Sequence, residues 1–181
     1  MSEKSEKTLQ KIEDSQERLN TEIKSIIKDL DKPDARHFMT VYNNHNIVSA
    51  VDVVRGDIGT AVKSCRDNNE DMSELNDDLK ARFKAWDKTV GEALKEGRDT
   101  IKNMIIAQDY TKNNNIRSIL KQADRLRAQR TKTIEKVPVS TPEACEFLLK
   151  QMDKTEDKLS RLIRSTLVTL PSALEDDEEA E

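Results

Sequence analysis

Between Met72 and Val137 apolar residues recur at helical spacing with no proline before Pro138, and no other feature restricts the fold as strongly. Phe83, Trp86, Val90, Leu94, Ile101, Met104, Ile105, Ile116, Ile119, Leu120, Ala123 and Leu126 step mostly by threes, fours and their sums. That is the pattern of a helix with one buried stripe. As a single helix the stretch would be roughly 100 Å long, at ~1.5 Å per residue. Gly91 and Gly97 soften it, and so does Asp109-Tyr-Thr-Lys-Asn-Asn-Asn115, where consecutive Asn side chains compete for backbone hydrogen bonds. Because the apolar phase joins across this waist, the spacing predicts a continuous, bent helix over 71–137. A loop dividing it into 71–109 and 115–137 is the alternative.

Three further helices are expected around it. Leu9, Ile12, Gln16, Leu19, Ile23, Ile26 and Leu30 form a coiled-coil seam in a helix over about 3–31, with Gln16 as its polar member. Pro33 cannot continue that helix but suits the first turn of the next, over 34–66. There Ile47, Val51, Val54, Ile58, Ala61 and Cys65, widened by Val41, Val48 and Val62, make a stripe broad enough for two partners. Gly56 and Gly59 inside it predict close packing or a bend. The next helix is capped by Asp71 or Ser73. Thr141 as N-cap with Pro142 at the first helical position starts a last helix over 141–170, which Pro171 ends. Glu175–Glu181 holds six acids and no base, the composition of a disordered tail.

Charged residues make up 36% of the 181 positions against 3% aromatic, too much charge for a thick core but suited to narrow helices. The fold class expected is therefore all-α: one elongated antiparallel helical bundle over 1–174, with coiled-coil character. The first residues lack the apolar core of a signal peptide, and no run is long enough to span a membrane, so a cytoplasmic protein is expected. Cys65 and Cys145 lie far apart without a second Cys or His at metal-ligand spacing, and each falls on an apolar stripe. Buried free thiols are the expectation.

The charge is unevenly placed. From Lys112 to Lys136 eight Lys/Arg stand against Asp124 and Glu135, although the whole chain carries a net −4. Arg117, Lys121 and Arg125 are spaced by four and share a face; Arg127 and Arg130 extend the cluster. Such a stripe binds phosphates, anionic lipid or an acidic partner. Nucleic acid is the less favoured partner, since no aromatic residue lies between Tyr110 and Phe147 to stack on bases. An interfacial membrane helix would need a bulkier apolar face. The acidic tail is a candidate for screening this stripe.

For catalysis the inventory is thin. The chain has no Gly-rich phosphate loop, no paired His and no nucleophile signature. Glu92 and Glu96, beside Lys88 and Lys95, read as a salt-bridged face, and no Glu has His three residues on, which excludes a di-metal bundle. No cofactor or metal is expected. His45-Asn-Ile-Val-Ser-Ala-Val-Asp-Val-Val-Arg-Gly-Asp-Ile58, with Glu96-Gly-Arg-Asp-Thr-Ile-Lys-Asn-Met-Ile105, locally resembles the dimerisation and phosphoacceptor hairpin of histidine kinases. Asn46 stands where that family carries an acid, and residues 138–181 leave no room for an ATP-binding domain. The resemblance implies a phosphotransfer module with His45 as phosphoacceptor.

The function expected from these residues is non-enzymatic: protein–protein interaction or self-association, with a protein partner or a homo-oligomer. Phosphotransfer through His45 is the first alternative, and polyanion binding through the basic stripe 112–136 the second.

Overall fold

The computed structural model describes residues 3–169, and side chains from 6 to 165. Leu170, Pro171 and the acidic tail 175–181 lie outside the described residues. Five helices follow one another: α1 Glu3–Lys28, α2 Lys32–Asn68, α3 Ser73–Ala107, α4 Asn113–Thr133 and α5 Pro142–Thr169. The all-α class holds, and among the described residues no helix is long and apolar enough to cross a membrane. The local stop and start signals act as expected. Asp31 accepts a hydrogen bond from the Asp34 amide at 2.9 Å, with Pro33 in the first turn of α2. Thr141 accepts one from the Ala144 amide at 3.3 Å ahead of α5.

The continuous helix over 71–137 does not form. The chain leaves the helix at Gln108 and re-enters it at Asn113. The Gln108 carboxamide ties off the turn, donating to the Thr111 carbonyl at 2.8 Å and accepting from the Thr111 amide at 3.1 Å. It also donates to the Asn113 side chain at 2.6 Å. Three side-chain bonds within six residues replace the backbone ladder. The Asn triplet therefore opens α4, rather than interrupting a longer helix.

The helices group into two compact units. The first takes residues up to Asn46 and 101–135: α1, the start of α2, the end of α3 and α4. The α1 seam closes on α4, with Ile12, Leu19 and Ile23 buried against a core that includes Ile116, Ile119, Leu120 and Leu126. Glu22 accepts from Gln122 at 2.7 Å, tying α1 to α4. His37 Nδ1 lies 3.1 Å from the Tyr110 hydroxyl. Burial, with Asp34 nearby, pushes that phenol up to about 12, so it stays protonated and polar in the interhelical turn.

Asn44 is the anomaly of this core. It is 1% exposed, and neither its carboxamide nitrogen nor its oxygen has a hydrogen-bond partner. A buried polar group without a partner costs about 1–3 kcal/mol. Asn44→Leu, apolar and with the same branching and number of side-chain heavy atoms, should therefore raise the free energy of unfolding by about 1 kcal/mol or more, read from urea denaturation. Lower stability would mean that this amide is bonded in solution.

The second unit holds 47–100 and the chain from 136 onward: most of α2 and α3, with α5. Arg55 makes a two-pronged pair with Asp87, and Arg98 reaches Asp52, so α2 and α3 are antiparallel. Along α3 and α5 the partners advance together: Arg82 to Asp153 and Glu156, Thr89 to Glu156, Glu96 to Arg164. These two helices are parallel, with α4 between them in the chain. Bonds from Thr89 and Arg82 hold the Glu156 carboxyl below its ordinary value. Trp86 is the centre of this core, 0% exposed, with its Nε1 donating to Thr155 at 3.2 Å. Phe83 stacks beside it and fills the notch at Gly59, where an added Cβ would lie 3.1 Å from the ring, a side-chain contact and not a backbone one; at Gly56 the space is open.

Cys65 and Cys145 are not free thiols. They form a disulfide that joins the last turn of α2 to the first turn of α5, both residues fully buried. Spacing could not reveal a bond across 80 residues of sequence. Asn69 reinforces it, donating to the Cys65 and Ser140 carbonyls at 2.9 Å each. Its own carbonyl accepts from Asn76 at 2.7 Å.

Candidate functional site

The basic stripe lies on α4, a helix of 21 residues with six Lys/Arg and the single acid Asp124. Its apolar stripe points into the first unit, which leaves the cations on the opposite side. On one flank α4 borders the start of α2, and on the other α1. Arg117 and Lys121 open onto the α2 side, in a cleft of about 570 Å³ that also takes in His45, Asn114, Ser118 and Asp124. Arg125 turns to the α1 side, into a groove shared with Ser15, Arg18 and Glu22. The one face foreseen by the spacing of four is thus a ridge between two clefts. A step of four residues drifts about 40° around a helix, so three such positions fan out.

Arg117, Lys121, Arg125 and Arg130 are exposed and, among the described residues, form no ion pair. Arg127 behaves differently. It is half-buried, donating to Asp124 at 2.9 Å and to the Asn46 side chain at 2.6 Å. It braces α4 against α2 and is not available to a partner.

His45 belongs to the same place. Its Nε2 lies 2.9 Å from an Asp124 oxygen, and its side chain is 19% exposed. The ring nitrogen that faces α4 is therefore engaged by a carboxylate, between two helices rather than on an open helix face. His45 and Arg127 both meet Asp124 at the same oxygen, Oδ1. Nothing in the sequence joins His45 to the basic stripe, because 79 residues separate His45 from Asp124. Asn46, the position that departs from the kinase pattern, holds Arg127.

Comparison with protein-family models, with curated proteins and with solved structures finds no match. What this chain does has to be argued from its own residues.

Among the described residues, no group of three or more His, Cys, Asp or Glu is placed to hold a metal ion. The second unit has a more apolar groove of about 670 Å³ between α2 and α5, walled by Ile58, Ala61, Val137, Phe147 and Leu148. Phe147 is 61% exposed on its rim. Ser64 and Ala144, sequence neighbours of the bonded cysteines, both line it.

Proposed function

We propose that this chain is a non-enzymatic interaction protein whose α4 ridge binds an acidic segment of a partner protein. One contrast carries the reading. In the second unit five of six arginines are consumed in ion pairs: Arg55, Arg82, Arg98, Arg161 and Arg164 each face a carboxylate. On α4 only Arg127 does, and Arg117, Arg125 and Arg130 stand unpaired with Lys121 among them. A protein with net charge −4 that keeps one cationic helix uncompensated has a local field able to steer and hold an anionic partner.

Catalysis is not favoured, because the one histidine near the stripe is engaged by Asp124. For the same reason phosphotransfer through His45 is the weaker reading. Self-association through the α1 seam is also less favoured, since Ile12, Leu19 and Ile23 are covered within the chain. The Cys65–Cys145 bond bears on location: disulfides persist in oxidising compartments, which favours such a compartment over the cytoplasm.

Titration with poly-L-glutamate tests the proposal. Binding should weaken steeply between low and physiological salt, where the Debye length falls to about 8 Å. It should drop by at least about tenfold when Arg117, Lys121, Arg125 and Arg130 are all changed to Gln. Unchanged affinity in that variant would refute it.

A further inference from the structure

We infer that the α2-side cleft is a phosphoryl subsite, so that the acidic segment bound by α4 carries a phosphorylated side chain. The inference rests on the α4 reading and adds to it a chemical class of ligand. Arg117 and Lys121 lie one turn apart on α4, and both line the cleft together with Asn114 and Ser118. Two cationic and two neutral polar residues thus wall one concave volume of about 570 Å³.

A run of carboxylates presents single charges spread along a chain, which a flat ridge serves as well as a cleft. A phosphoryl group concentrates about −1.5 to −2 charges and three acceptor oxygens at one point. Its oxygens match an arginine fork bidentately, with a lysine as the accompanying point charge.

Asp124 is the one carboxylate lining the cleft, and it would repel such a group if left alone. His45 and Arg127 both bond its Oδ1 at 2.9 Å, and the Arg127 cation offsets its negative charge. A lipid headgroup offers the same phosphate chemistry. A protein source is favoured because none of the exposed large apolar side chains lies on α4, where a bilayer would need them.

The test uses two acidic peptides identical except for phosphoserine or glutamate at one central position, titrated into the full chain at fixed ionic strength. The phosphopeptide should bind about tenfold more tightly. Arg117→Gln and Lys121→Gln should each bring that ratio close to one, whereas Arg130→Gln, outside the cleft, should weaken both peptides alike and leave the ratio intact. Both cleft residues are exposed, so circular dichroism should show an unchanged fold. Equal binding of the two peptides by the unaltered chain would overturn the subsite while leaving the α4 reading standing. Binding of neither would overturn both. Tighter retention on vesicles containing a phosphoinositide than on the phosphopeptide, lost in Arg117→Gln, would overturn the protein source in favour of a membrane.

Discussion

Replacing Cys65 and Cys145 together with alanine is expected to lower the unfolding free energy by about 4 kcal/mol. The bond closes a chain segment of 80 residues. By the loop-entropy argument its loss returns that much freedom to the unfolded state. For a chain of this size the melting temperature should fall by roughly 10 °C. Reduction of the unaltered protein with a dithiol under native conditions should produce a similar fall, and the same reagent should leave the double variant unchanged. The loss should be felt first where the bond acts. Amide exchange should quicken at 136–148, the approach to α5 and its first turns, which Asn69 and the disulfide hold to the end of α2. A melting temperature unaffected by reductant would mean that the two sulfurs are not bonded in solution.

Trp86→Ala should cost about 3–5 kcal/mol, the range for deleting a fully enclosed large aromatic. Trp86→Phe should cost much less. It keeps most of the apolar contact with Phe83 and forfeits chiefly the bond to Thr155, worth about 1 kcal/mol. The pair of variants separates packing from hydrogen bonding at one site. Since Trp86 is the sole tryptophan, its own fluorescence reports the state of the second unit during denaturation. A cost below about 1 kcal/mol for the alanine variant would contradict the burial described here.

The legible part of this fold was the local part. Helix existence followed from apolar spacing, and the breaks at Asp31–Pro33 and Thr141–Pro142 followed from capping chemistry that acts over three or four residues. The α3–α4 break was misread because apolar phase continues through it. Side-chain bonds from Gln108 ended the helix there, and nothing in the periodicity marks a glutamine that will bond its own backbone. The parallel pairing of α3 with α5, the disulfide, and the junction at Asn69 are all non-local, and periodicity carries no information on which stripe meets which. The same limit governed the site. The cations on α4 were visible as a run, but their division between two clefts, the removal of Arg127 from the exposed set, and the arrival of His45 beside Asp124 required the packing of α2 against α4.

The central claim is that the position of charge on α4, not net charge, creates the binding surface. It is tested most directly by comparing two variants with the same change in charge. In one, Arg117, Lys121, Arg125 and Arg130 become glutamine; in the other, the exposed Lys80, Lys84, Lys88 and Lys154 of the second unit do. Calorimetric titration of each with the same acidic polypeptide at low ionic strength should show binding lost in the first and retained within about twofold in the second. Equal losses in both would show that any cation serves, and the assignment of the surface to α4 would be wrong.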